Sequence, residues 1–253
     1  MRRVLAALAL LVPVAVPAVA AASTVELSQG AEALSGDRPA WRTTALDLAW
    51  VADRDRALAA GGSLREASRF REDDVEAAIW AQAPVAGFVL GVEGSASPTW
   101  EFLPRWSAGA RAERGLGAGW VASLGGRLLR YDGELGASTV ALTTAGLERY
   151  FGRWRTAASG TAAGLHGAWS GSGRLALDLY YGERGRVGVS VAAGRELESL
   201  GGGAVLRTDV LGAALTGAHP LSATWAVTWD LTAQRQGDLY TRVGGRLGVR
   251  RSF

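Results

Sequence analysis

Three arginines, Arg242, Arg246 and Arg250, stand four residues apart in the last stretch of the chain, alternating with Val243, Gly245, Leu247 and Val249. In an extended strand, side chains two apart share a face, so one side of this segment carries fixed positive charge and the other is apolar. The segment TWAVTWDLTAQ just upstream alternates in the same way and can set Asp230 beside Arg242 or Arg246 across a hairpin. Applied to other segments, the same parity puts Asp47, Glu76, Asp178, Arg186, Arg207 and Asp209 on the polar face. Fixed charges of both signs around a closed sheet do one of two things. They brace a polar interior, or they form a mixed-charge eyelet that sorts solutes.

Other chemistry has fewer carriers. Of the two histidines, His166 sits in LHGAWSGSG with Ser170 and Ser172 close by. A serine nucleophile needs a base within hydrogen-bond reach and a group that orients the base. Glu134 or Glu196 would have to supply that group from neighbouring loops, giving a lipid hydrolase or acyltransferase at a barrel rim. The plainer reading is a rim histidine in a Gly/Ser loop. His219 precedes Pro220 and reads as a turn residue. Two isolated histidines lack metal-ligand spacing, and Asp53 and Asp55 around Arg54 read as a solvated turn. Ser199–Gly203, SLGGG, has no strand–Lys–helix context and is no phosphate loop. Neither a metal nor a cofactor is implied.

The elements that must position these groups are strands. Strict alternation recurs in TTALDLAW, DVEAAIWAQ, RLALDLYY, RVGVSV and TWAVTWDLTAQ. Two segments, Ser63–Phe70 and Asp73–Ile79, are rich enough in Ala and Glu for helix propensity to compete. Short breaks are expected at Asp53–Asp55, Gln82–Val85, Gly115–Gly117, Phe151-Gly152, Gly182–Gly185 and His219-Pro220. Longer ones are expected at Gly94–Trp100, Tyr131–Gly136, His166–Gly173, Glu196–Val205 and Gln236–Leu239. The spacing gives twelve to fourteen strands of roughly 11 to 15 residues, more than a soluble sheet uses and enough for a tilted bilayer crossing. Aromatics gather at strand ends. Trp50, Tyr150, Phe151, Trp154, Tyr180, Tyr181 and Phe253 lie at the short-turn side, and Trp100, Phe102, Tyr131, Trp169 and Tyr240 toward the longer loops, as two interfacial girdles would. A soluble β-sandwich is the alternative, but strand ends are a poor place for its core tryptophans. Val210–Trp229 has no formal charge over twenty residues, yet His219-Pro220 and its alternating second half make it a hairpin rather than a membrane helix.

Composition agrees. MRRVLAALALLVPVAVPAVAAAS has a positive start, an apolar core and small residues at Ala20–Ala22, the pattern of a cleaved signal peptide over 1–22. The fold is therefore expected in 23–253: an all-β, transmembrane, up-and-down antiparallel β-barrel in the outer membrane of a Gram-negative bacterium, with outer-membrane lipid as its surroundings. Every basic residue is arginine, and removing Arg2 and Arg3 leaves 25 against 24 acids. That balance, without clustering, excludes a nucleic-acid footprint. The absence of cysteine excludes disulfides, thiolate metal sites and a lipoprotein anchor.

The last residue, Phe253, with Val249 and other apolar residues at alternate positions before it, resembles the signal read by the barrel-assembly machinery. Further segments carry a family likeness. SRFREDDVEAAIWAQAP, FLPRWSAGARAERGLGAGWVASLGGRLLRYDG, LERYFGRWRTA and LALDLYYGERG follow the order of the YaiO-type outer-membrane β-barrel family. The marks are the Arg-Phe pair before acidic residues, Phe-Leu-Pro-Arg, the Gly-Arg-x-x-x-Tyr strand and the Tyr-Phe-Gly-x-Trp turn. The resemblance covers the mature chain and implies a non-enzymatic envelope barrel. It loosely implies traffic of a polysaccharide or a small solute. Some relatives carry tetratricopeptide repeats before the barrel; no 34-residue repeat occurs here. A structural or adhesive surface protein is the remaining reading.

Overall fold

The computed structural model describes residues 23–36, 38–53, 57–133, 136–201 and 203–253. The expected signal peptide, the Arg54-Asp55 turn and Glu134 lie outside the described residues.

Fourteen strands follow one another: β1 (Thr24–Leu34), β2 (Trp41–Asp53), β3 (Leu58–Arg69), β4 (Glu72–Val85), β5 (Phe88–Ala96), β6 (Trp106–Gly117), β7 (Trp120–Tyr131), β8 (Ser138–Phe151), β9 (Trp154–Leu165), β10 (Ala168–Tyr181), β11 (Gly185–Gly201), β12 (Ala204–Pro220), β13 (Trp225–Gln236) and β14 (Tyr240–Ser252). Each pairs antiparallel with its neighbours in sequence, and β1 pairs with β14 to close the sheet. Closure leaves no edge strand with unpaired backbone groups, the condition for a sheet to sit in hydrocarbon. The count is the upper end of the expected range. Ser63–Phe70 and Asp73–Ile79, where helix propensity competes, lie in β3, β4 and the start of the turn between them, because ladders with neighbouring strands, on both sides for β3 and for Ala77–Ile79 and on the β3 side for 73–76, take up their backbone groups.

Registers fix the two faces. Opposite Leu247 stand Trp229 on β13 and Gln29 on β1, and opposite Val249 stand Val227 and Leu27. On the other parity Arg246 faces Asp230, and Arg250 faces Glu26. Exposed Leu27, Leu48, Leu64, Ile79, Val92, Leu124, Leu175, Leu211, Leu231 and Leu247 all fall on the outward parity and form the apolar belt. A 12-residue strand is about 40 Å long and at about 40° tilt rises about 30 Å, which spans that belt with a margin at each end.

The first and last described residues lie at one end of the barrel, called the terminal end, where Phe253 N–H donates to the Ser23 carbonyl at 3.0 Å. On this terminal end the outward aromatics sit against cations. Arg114 lies 5.1 Å from the Phe88 ring centre, Arg149 5.2 Å from Trp120, and Arg251 4.7 Å from Phe253 and 5.4 Å from Trp225. The Tyr181 and His219 rings stack at 6.1 Å. His219 therefore belongs to the girdle at the end of β12, and the turn beyond it is Leu221–Thr224. Tyr150 and Tyr180 share the inward parity of Arg155 and Asp178, and Tyr131 and Tyr240 that of Arg127 and Arg242, so these four are not girdle residues.

Several expected loops are strand. His166–Gly173 contracts to a turn at His166-Gly167, and Glu196–Val205 is absorbed by β11 and β12, which each run 17 residues. At the end opposite the termini the long connections are 35–40, 97–105 and 132–137.

Candidate functional site

Alternation aims a polar inventory into the lumen. On β14 each of the three arginines has its own acid. Arg250 reaches Glu26 at 2.6 Å, Arg246 reaches Asp230 at 2.7 Å, and Arg242 reaches Glu32 at 3.1 Å. Thr228 donates to Glu26 at 2.8 Å across the intervening β14, a reach possible only on the concave side. The pairing of Asp230 is with Arg246; Arg242 instead donates to Gln234 and Glu32. Asp47 stands opposite Glu26 on β2.

A second network crosses β3 to β7. Arg65 donates to Glu76 at 2.7 Å, Ser95 to Glu76 at 2.9 Å, and Arg127 to Ser107 at 2.8 Å, with the Ser95 and Ser107 hydroxyls 2.7 Å apart. A third crosses β8 to β11 near the terminal end. Arg155 bridges Glu148 at 2.5 Å and Asp178 at 2.7 Å, and Arg186 lies 3.8 Å from Asp178. Above it, the wall of β9 to β12 presents Ala157, Ser159, Thr161, Ser170, Ala176, Ala192, Gly194 and Ala214. Arg174 crosses this wall and donates to Ser190 at 3.1 Å, so charge occurs around the lumen, with small residues concentrated between the third network and the far end of β9 to β12.

The mouth opposite the termini is narrowed by 97–105. Asp74, inward on β4 and fully buried, accepts backbone N–H bonds from Glu101 at 2.9 Å, Phe102 at 2.8 Å and Leu103 at 2.7 Å. β5 is only nine residues long, so its ladder with β4 stops at Ala77–Ala96 and leaves upper β4 paired with β3 alone, unpartnered on its β5 side. Thr99 Oγ1 takes the Val75 N–H in its place, at 3.0 Å. The loop therefore folds inward over β4 as far as β3, where Arg69 lies 5.1 Å from the Phe102 ring and 4.5 Å from Trp41. Trp41 meets Phe70 at 5.4 Å, Tyr240 at 5.9 Å and the Arg242 guanidinium at 5.0 Å. Trp41 is buried in this cluster of rings and guanidiniums, and Leu34 and Leu103 are buried as well, while Phe70 stays exposed. At the base of the loop, Asp132 accepts from Arg105 at 2.8 Å and Arg130 at 2.9 Å. Those guanidiniums, Arg105 foremost, hold its carboxyl below the usual aspartate range.

Asp47, Glu76, Asp178, Arg186, Asp230, Arg242 and Arg246 all face the lumen, but in three separate networks rather than one eyelet. Arg207 and Asp209 are corrected. They face outward at the far end of β12, where Asp209 pairs with Arg195 at 3.0 Å. The strand outruns the apolar belt, so charge on its outer parity meets interface instead of hydrocarbon. Val249 and Phe253 are both outward and exposed on the terminal half of β14. His166 sits at positive φ in its turn with Nε2 3.5 Å from Ser199 Oγ. Ser170 and Ser172 point into the lumen from β10, and Glu196 accepts from Gln236 at 2.7 Å. The expected serine–histidine pairing is not assembled.

Asp74, Arg69, Trp41 and Phe102 were not singled out by alternation. For all but Trp41, the signal was present in the family marks. The Arg-Phe-Arg-Glu-Asp-Asp run supplies Arg69, Phe70 and Asp74, and Phe-Leu-Pro-Arg supplies the loop they hold.

The geometry defines a membrane β-barrel of porin-like architecture. The sequence profile of the YaiO membrane beta barrel domain matches residues 22–197, and the chain belongs to that family. Among curated proteins none matches. Solved structures of similar fold include an anion-selective porin from Comamonas acidovorans, 13% identical over 91% of this chain and 98% of that one, with a TM-score of 0.53. The CymD monoaromatic hydrocarbon channel is 11% identical over 91% and 88%, at 0.64. A loop-deletion form of OmpT, an outer membrane protein of Vibrio cholerae, is 10% identical over 91% and 98%, at 0.52. Identities this low carry the fold alone.

Proposed function

We propose that the protein is a narrow, non-enzymatic solute conduit in the outer membrane of a Gram-negative bacterium, with both termini in the periplasm and the 97–105 loop at the external mouth. The observation that carries this reading is the lumen itself, lined by separate ion-pair networks with small residues between them, and with a loop pinned inward by buried Asp74. A barrel of eight strands has room only for side chains, whereas 16–18 strands leave an aqueous channel; fourteen with an inward loop suits a restricted passage. The dispersed positions of His166, Ser170, Ser172 and Glu196 favour the non-enzymatic reading. An anion-selective porin and a monoaromatic hydrocarbon channel share this fold, which supports passage of solutes.

The test is the reversal potential of the mature protein in a lipid bilayer under a KCl gradient. Asp230→Ala leaves the Arg246 guanidinium without its acid, so selectivity is expected to move toward chloride. An unchanged reversal potential would remove Asp230 from the ion path. Separation of the two membranes by density checks the location.

Polysaccharide is the second reading for the cargo, favoured by Trp80. This indole lies on the inward parity of β4 beside Gly61, which has no side chain to displace it, and 36% of its surface is open to the lumen. A flat apolar face with one N–H suits a sugar ring. Block of the conductance by an added glucan, relieved in Trp80→Ala, is the expected result.

A further inference from the structure

One seam in the wall is incomplete. The β10–β11 ladder ends at Ser172–Gly194, although β10 continues to pair with β9 up to Ala168–Leu165, and β11 with β12 up to Gly201–Ala204. Above Ser172 the two strands part, and among the described residues the His166–Ser199 hydrogen bond bridges the top at 3.5 Å. The gap is a cleft of about 500 Å³ lined by residues of both parities, Ser170 and Gly194 from the lumen side, and Trp169, Arg195, Arg207 and Asp209 from the outer side. Ser170 Oγ is buried there with no hydrogen-bond partner. Buried hydroxyls are nearly always satisfied, so this one marks a place where a polar group belongs.

The height of the cleft says what surrounds it. Ten residues separate the level of girdle residue Tyr181 from Gly171, about 33 Å of strand and about 25 Å of rise, the height of the apolar band. Outward residues between these levels on β10 and β11 are Leu179, Leu177, Leu175, Gly173, Val187, Val189, Val191 and Ala193, with no charge among them. Arg195 and Arg207 are therefore the first cations above hydrocarbon. Asp209 offsets part of the charge on Arg195, while Arg207 has no carboxylate in salt-bridge range among the described residues. Trp169, 62% exposed, stands beside them with the two-sided character of an interfacial indole.

We infer that this cleft is a binding site for the phosphate-bearing headgroup of an outer-leaflet glycolipid, held by Arg195 and Arg207 beside Trp169. Guanidinium forks match phosphate oxygens in geometry and charge. The assignment rests on the proposed orientation, which puts this rim in the outer leaflet.

The experiment measures binding of bisphosphorylated lipid A to the refolded mature protein in detergent, beside dephosphorylated lipid A and inorganic phosphate. Heat-modified gel mobility confirms that each variant is folded. Wild type is expected to prefer the bisphosphorylated lipid, and Arg195→Gln with Arg207→Gln to weaken it about tenfold or more. Asp209→Asn frees Arg195 and is expected to tighten binding. Arg42→Gln, an outward arginine on β2, is expected to change nothing. Equal binding by the double variant, or an equal loss in Arg42→Gln, overturns the site. Equal binding of dephosphorylated lipid removes the phosphate, and full competition by inorganic phosphate removes the lipid. Reversal potentials on the same preparations are read separately, so a silent pore that still binds lipid would fail the conduit reading alone.

Discussion

Arg246 and Asp74 both sit in charged contacts, yet their energetics differ. The Arg246 side chain keeps 46% of its surface open, so losing its pair with Asp230 costs little, about 0–1 kcal/mol. Asp74 is fully buried and satisfies three backbone N–H groups, which Asp74→Ala would strand at about 1–3 kcal/mol. Chemical unfolding of the two variants should show that contrast, and equal losses would contradict it. Asp132 adds a pH dependence. Its carboxyl is held below the usual range in the fold by Arg105 and Arg130, so its contribution is present above the ordinary aspartate range and is lost as pH falls through the depressed value. Arg105 lies 5.0 Å from the Trp100 ring, so acid should release the loop base and alter Trp100 emission. Asp132→Asn should show the altered emission already at neutral pH. A wild-type acid transition that persists unchanged in this variant would assign it to another group.

At the scale of elements, parity decides tolerance. Leu247→Arg puts a guanidinium on the lipid face and is expected to cost about 2–4 kcal/mol near the midplane, whereas Ala176→Arg enters the polar lumen and should be tolerated. Refolding yields and unfolding midpoints of the pair check this. The strands were legible because a period of two is local; Trp229, Asp230 and Leu231 disclose their faces without their neighbours. Arg207 and Asp209 share the odd parity of Leu211, Ala213 and Leu215, so counting alone sends them outward; expecting all charge inside overrode the count. The premise behind it, that a strand is no taller than the membrane, fails for the 17-residue β11 and β12. The inward fold of 97–105 was not legible. It depends on Asp74 meeting N–H groups 27 to 29 residues away in an aperiodic stretch, and on β5 stopping short. Only the co-occurrence of the Arg-Phe and Phe-Leu-Pro-Arg marks hinted that these segments work together.

For the whole molecule, closure of fourteen strands fixes a lumen, and one anchored loop sets how much of it is open. Both claims meet in a single measurement, the single-channel conductance of the refolded mature protein beside that of Asp74→Ala. The account predicts small discrete steps from the wild type and larger, noisier steps once the loop loses its anchor. A correctly folded barrel that is silent in both forms, or one whose steps ignore the substitution, would contradict it.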